Sequence, residues 1–226
     1  MLSIIIPCFN EEEVINENTN KILSWSNDQK FKSELLLINN ASTDNTENEM
    51  KKFNKEKSVK IINEPSKGKG FAVKKGLENS QYEKVVILDA DLSASINELD
   101  KKWLERDNLL IIGSRPLGEE INTPTIRKVS GYVLNYIIRK IFKLNFRDTQ
   151  CGFKFLSTKK INDVAQQITC GGFLYDLDLI LNCLHQGISV EEKAVKYNFN
   201  RKSSVSMLKD PFIMLKDIYI LKNKYN

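Results

Sequence analysis

Val85-Val86-Ile87-Leu88-Asp89-Ala90-Asp91 is four consecutive apolar residues, three of them β-branched, that stop abruptly at two aspartates. An apolar run with no polar alternation is the pattern of a strand covered on both faces. Outward from this run the same kind of short apolar segment recurs at 2–6, 34–38, 58–63 and 109–112. Helix-like segments at 11–25, 44–53, 70–79 and 96–104 lie between them. Strand and helix in alternation predict an open α/β sheet, mostly parallel, with right-handed crossovers and helices on both sides.

The second half loses this rhythm. A helix is expected over 126–144, where Val129, Tyr132, Val133, Tyr136, Ile137, Ile141 and Leu144 fall at helical spacing. A strand at 151–156, a helix at 175–184, a strand at 189–199 and an apolar helix at 211–221 complete the reading. No repeat, low-complexity tract or linker interrupts the 226 residues. One domain over 1–226 is expected, with the regular alternation in 1–113 and an elaboration in 114–226.

Composition narrows the class. Hydrophobic residues are 41% and charged residues 28% of the chain, the balance of an ordinary globular domain rather than a disordered or membrane-embedded one. The four cysteines, Cys8, Cys151, Cys170 and Cys183, contain no C-x-x-C and suggest a reducing compartment. No signal peptide is recognisable, and no apolar run reaches the ~18 residues that cross a bilayer. The expectation is a cytoplasmic protein, soluble or peripheral on a membrane.

The net charge is +5. Seven Lys/Arg lie between 115 and 147, and seven more between 196 and 226. Such patches point to an anionic partner: nucleotide phosphates, a lipid phosphate or a membrane surface. Nucleic acid is not expected, because the basic segments lack interleaved stacking aromatics.

In open α/β sheets ligands bind beyond the carboxyl ends of the strands. Those ends are followed here by Pro7-Cys8-Phe9-Asn10-Glu11, by 39–46, by Lys67-Gly68-Lys69-Gly70, by Asp89-Ala90-Asp91 and by Gly113-Ser114-Arg115. The D-x-D pattern is weak alone, since 12 aspartates in this length give about 0.6 chance matches. A second copy does occur, at Asp176 and Asp178. Context favours the first copy. Two hard oxygen ligands at a strand end suit Mg²⁺ or Mn²⁺ held between protein and a diphosphate, where the metal neutralises the leaving group. The plainer reading is a helix cap.

Lys67-Gly68-Lys69-Gly70 matches neither a Walker A loop nor a dinucleotide fingerprint, but it brings backbone N–H groups and Lys69 near a phosphate at a helix start. Arg115, Arg127 and Arg147 lie in the basic middle segment, and guanidinium forks match phosphate oxygens. His185 is the sole histidine and reads as a bystander on a helix.

Taken together these residues resemble the inverting GT-A-type glycosyltransferases of family 2, over nearly the whole chain. Ser3-Ile4-Ile5-Ile6-Pro7-Cys8-Phe9-Asn10-Glu11-Glu12 looks like that family's nucleoside-binding segment, and Asp89-Ala90-Asp91 stands at its D-x-D. Arg147-Asp148-Thr149-Gln150-Cys151-Gly152-Phe153-Lys154, Gly113-Ser114-Arg115 and Phe173-Leu174-Tyr175-Asp176-Leu177-Asp178 look like the dolichyl-phosphate glucosyltransferase branch. Polyprenyl-phosphate mannose synthases share its fold and D-x-D.

The resemblance implies a Rossmann-like nucleotide-diphospho-sugar transferase fold, a UDP- or GDP-sugar donor and a polyprenyl or dolichyl phosphate acceptor. It assigns Pro7, Asn10, Glu11 and Asn40 to the nucleoside. Lys69, Asp89, Ala90, Asp91 and Arg201 go to the donor diphosphate, with Asp89 and Asp91 on the metal. Arg115, Arg127, Ser130 and Gln150 go to the acceptor. Asp91, Arg115, Arg127, Asp148 and Asp176 stand nearest the chemistry, and 201–204 looks like a mobile basic loop over the diphosphate. Asn40 departs from the pattern, since family members usually carry a carboxylate there. An amide both donates and accepts, which leaves the nucleobase open.

The implied reaction is one inverting displacement by a lipid-phosphate oxygen. Because a phosphate monoester with a second pKa of about 6 is already anionic, no strong base is needed. A sugar hydroxyl acceptor would need one, and Asp176 is then the candidate. A nucleotide-binding module without turnover is the alternative from another class.

Overall fold

The computed structural model describes residues 1–199 and 210–225. Its elements in order are β1 (Leu2–Cys8), α1 (Ile15–Asn27), β2 (Ser33–Asn39), α2 (Thr46–Lys51), β3 (Val59–Asn63), α3 (Lys69–Asn79), β4 (Lys84–Ile87) and β5 (Leu109–Ile121). There follow α4 (Thr125–Phe142), β6 (Lys154–Ser157), α5 (Ile161–Gln167), α6 (Tyr175–His185), β7 (Ser189–Asn198) and α7 (Asp210–Tyr225). One seven-stranded sheet runs β3-β2-β1-β4-β6-β5-β7 and carries both halves of the chain. Its strands are parallel except β6, which is antiparallel to β4 and β5.

The unbroken apolar runs follow from this sheet. Successive side chains of a strand point to opposite faces, and both faces are covered. Ile4, Ile6, Leu35, Leu37, Val86, Ile111 and Phe155 enter one core with Met50 and Trp103. Their neighbours Ile5, Leu36, Ile38, Val85, Ile87, Leu110 and Leu156 enter the other, under Val73 and Leu77 of α3 and Leu179 of α6. A third, smaller core joins α4, α6 and α7 through Ile138, Leu177, Leu181, Ile218 and Leu221.

Three sequence expectations need correction. The helix expected over 96–104 is two 3-10 segments, Ile96–Glu98 and Lys101–Glu105. The Ser95 and Asp100 side chains each accept from a backbone N–H two residues on, so the chain is capped afresh before one helix can propagate. Strand β5 runs on to Ile121, with a register shift against β7 between Ser114 and Glu119. Arg115 therefore lies within a strand and not in a loop after one. Helix α5 was not anticipated, although Ile161, Val164 and Ala165, all buried, have the i, i+3, i+4 spacing of a helix face.

Helix α4 buries Asn135 and Ile138 and exposes Ile126, Val129, Tyr132, Val133 and Tyr136. Among the described residues, no helix is long and apolar enough to cross a membrane. The four cysteines are buried and unpaired.

Candidate active site

The carboxyl ends of β1, β2 and β4 lie side by side, because β1 pairs with β2 and β4 in parallel register. Their loops are tied together by short polar side chains. Asn10 takes a left-handed φ of 56° and is bonded to Thr43, whose N–H donates to Asn10 Oδ1 at 2.8 Å. The Glu11 N–H donates to Thr46 Oγ1 at 2.7 Å. Pro7 is buried in β1 opposite Ile38.

Asn40 is buried and bridges to the loop before α3. Its Nδ2 donates to the Ser66 carbonyl at 2.7 Å, and its Oδ1 accepts from the Gly68 N–H at 2.8 Å. Only a side chain that donates and accepts can make both bonds. A carboxylate would meet the Ser66 carbonyl with like charge. The departure from the family pattern thus has a local structural reason.

The first D-x-D turn stands past the end of β4. Asp89 forms an ion pair with Lys69, the first residue of α3. Burial would raise the Asp89 pKa, but Lys69 first, then Lys154 and Arg115, hold it below the ordinary value. Gly152 lies against this carboxylate, and a Cβ there would run into it. Asp91 accepts from the Ser93 N–H at 2.9 Å and the Ser93 hydroxyl at 2.7 Å. Its pKa is raised, by burial and then by the charge of Asp89. The Ala90 carbonyl is anchored by Asn18 Nδ2 at 2.8 Å.

On the β5 side, Arg115 forms a two-pronged pair with Asp148: Nε to Oδ2 at 2.6 Å and a terminal nitrogen to Oδ1 at 2.9 Å. Asp148 is 1% exposed, and despite burial the Arg115 guanidinium keeps its pKa low. The loop holding Asp148 is fixed in turn. Glu192 of β7 accepts from the Arg147 and Asp148 N–H groups at 2.9 and 2.7 Å, and Asn135 of α4 binds Thr149. The Gln150 N–H donates to Asp148 Oδ1 at 3.0 Å.

The structure brings Lys69, Asp89, Asp91, Arg115, Asp148 and Asp176 to one polar cluster. Asp176 opens α6 and pairs with the buried Lys154. Arg127 and Ser130 lie in the first two turns of α4, which follows the end of β5; Ser130 is exposed. Arg201 lies outside the described residues. Three members of the cluster received no site role from the sequence. Tyr197 of β7 lies under Arg115, 5.4 Å from ring centre to guanidinium carbon, and its pKa is pushed to about 12 by burial and then by Asp89. Lys154 and Tyr175 are fully buried. A lysine between Phe153 and Phe155 on a buried strand was the available signal for Lys154.

A divalent cation fits the D-x-D turn. Two hard carboxylates lie close enough that one raises the pKa of the other, the situation a cation relieves. Among the described residues, no group of three or more His, Cys, Asp or Glu gathers to hold a metal. Two protein carboxylates completed by substrate phosphates is a usual Mg²⁺ arrangement.

Known proteins share this architecture and sequence. Dolichyl-phosphate beta-glucosyltransferases of Trichomonas vaginalis and Saccharomyces cerevisiae are each 25% identical, over 87% and 99% of this chain. The chain spans 63–65% of the length of the three Trichomonas relatives and 75% of the yeast protein. Glucosyl-3-phosphoglycerate synthase of Mycobacterium tuberculosis, solved with Mn²⁺, UDP-glucose and phosphoglyceric acid, superposes with a TM-score of 0.68 at 16% identity, covering 98% of this chain and 78% of that one. That likeness establishes the GT-A fold. Residues 3–164 match the family described as Glycosyl transferase family 2. Matched over more than half of its length, with the D-x-D turn at the end of β4, the chain belongs to glycosyltransferase family 2.

Proposed function

We propose that this protein transfers glucose, with inversion, from UDP-glucose to a dolichyl or other polyprenyl phosphate. The observation that carries the reading is the Asp89–Asp91 turn past β4, with Lys69 paired to Asp89 and Arg115 of β5 near enough to lower the Asp89 pKa. The relatives named dolichyl-phosphate beta-glucosyltransferase support glucose and the lipid phosphate. A single domain serves both substrates, residues 1–113 the donor and 114–226 the acceptor.

The chemistry follows from charge. Asp89 and Asp91 would hold Mg²⁺ or Mn²⁺, which supplies neutralising charge to the departing diphosphate. Asn10, Glu11 and Asn40 shape the nucleoside end, and Lys69 lies where a donor phosphate would approach α3. Arg115, locked by Asp148, presents a fixed cation without having to reorganise during reaction. Arg127, Ser130 and Gln150 take the acceptor phosphate, and Arg201 adds positive charge for the donor diphosphate. The acceptor oxygen is already anionic, so Asp176 need not act as a base. Its pairing with Lys154 suits a fixed contact better than a proton acceptor.

The acceptor is delivered from a membrane on its cytoplasmic face. Ile126, Val129, Tyr132, Val133 and Tyr136 of α4 are each 53–61% exposed. No Asp or Glu occurs from 121 to 147, where six Lys/Arg stand. An exposed apolar stripe with tyrosines and basic flanks suits an anionic lipid surface.

The test is a transfer assay with dolichyl phosphate, Mn²⁺ or Mg²⁺, and UDP-glucose, GDP-mannose or UDP-N-acetylglucosamine. Lipid-linked sugar is expected from UDP-glucose alone and lost with EDTA. Product from GDP-mannose would overturn the donor. Donor binding with no lipid product would move the reading to a hydroxyl acceptor or a binding module.

A further inference from the structure

Lys154 is 1% exposed at the centre of the sheet, on β6, opposite Ile87 of β4 and Ile112 of β5. Its ammonium donates to the Cys151 carbonyl at 2.6 Å, pairs with Asp176, and lies 5.7 Å from the centre of the Tyr175 ring. Lys69, paired with Asp89, lies 5.4 Å from the same ring. A buried cation–carboxylate pair, Lys154 with Asp176, and a half-buried one, Lys69 with Asp89, therefore flank one tyrosine.

Stability does not account for such an arrangement. A buried ion pair recovers its desolvation cost poorly, and a well-packed apolar pair of similar volume is often as stable or more so. What a buried pair does supply is a fixed carboxylate. In a helix first turn exposed to water, an aspartate samples several rotamers. Held by a lysine that is itself held by a strand carbonyl, Asp176 has one position.

We propose that Lys154 is a positioning residue for the transfer reaction: from the floor of the sheet it fixes the Asp176 carboxylate in the pose that the sugar or acceptor meets. The proposal rests on the functional reading above for the role of Asp176. It adds a residue that never touches substrate yet sets the rate. Misplacing a contact by about 1 Å costs on the order of a hundredfold.

The test separates positioning from folding. Lys154→Met alone strands a buried carboxylate and is expected to melt early. Lys154→Met combined with Asp176→Asn removes both charges and is expected to recover the wild-type melting temperature. In the folded fraction of Lys154→Met, where Asp176 is intact, kcat should be about a hundredfold down with the UDP-glucose KM little changed, and the double variant should match Asp176→Asn alone. A folded fraction of Lys154→Met with kcat within about threefold of wild type would overturn the proposal, and so would a refolded double variant with wild-type kcat. Wild-type protein that makes no glucosyl lipid defeats the functional reading instead, and the two failures are distinct.

Discussion

The chain carries the tripeptide D-x-D twice, and the two copies do different work. Asp89 and Asp91 lie half-buried in a turn past the end of β4, where the charge of Asp89 helps raise the Asp91 pKa. Asp176 and Asp178 lie in the first turn of α6. In a helix, residues two apart point about 200° away from each other, so these carboxylates part company. Asp176 meets Lys154 under the site. Asp178, fully buried, accepts from the Thr169 and Cys170 N–H groups at 2.7 and 2.8 Å, from Lys224 at 2.9 Å and from the Tyr225 hydroxyl at 2.7 Å. The second copy thus pins α7 to the body of the protein. Identical spacing gives convergence in a turn and divergence in a helix.

The largest contrast should come from removing one carboxylate of the turn. Asp91→Ala is expected to lower transfer by about 10²–10³-fold with little change in melting temperature, measured by glucosyl-lipid formation and thermal denaturation. A fully active variant would erase the difference between the copies. Next is Asp148→Ala, which strips the partner from Arg115. A broken buried pair costs about 3 kcal/mol or more, read by urea denaturation, and transfer should fall too because Arg115 loses its fixed pose.

Asp178→Asn should do the reverse of Asp91→Ala. Loss of charge-assisted bonds costs about 1–3 kcal/mol, while kcat of the folded fraction stays within about twofold. The smallest effect is on acid stability. Burial would raise the Asp178 pKa, but its bonds to Cys170, Tyr225 and Lys224 bring it below the ordinary value. A carboxylate depressed on folding stabilises fully above its unfolded pKa of about 3.9 and ceases to as pH falls through the folded value. The wild-type melting temperature should drop below about pH 4, and less steeply in Asp178→Asn.

Much of this was legible in the sequence because parallel strands buried on both faces leave an unmistakable record. The runs at 2–6, 34–38 and 85–88 carry it, and the loops after them lie side by side at one sheet edge as expected. What was not legible depends on tertiary partners. Nothing in the string Gly113-Ser114-Arg115 says that β5 continues, because the strand is sustained by pairing with β7, some 80 residues later. Tyr197 reaches the site only through that pairing. The sequence assigned Asn40 to the nucleoside, and gave no sign that its amide also bonds the backbone at Ser66 and Gly68. Lys154 closes the motif segment 147–154, but its burial follows only from the position of β6 between β4 and β5.

The most direct measurement is glucosyl transfer from UDP-glucose to dolichyl phosphate by three proteins side by side: wild type, Asp91→Asn and Asp178→Asn, each checked for folding. The account predicts lipid-linked glucose from wild type and Asp178→Asn, and a loss of about a hundredfold or more in Asp91→Asn. Equal activity in all three, or loss in Asp178→Asn with Asp91→Asn unaffected, would contradict it.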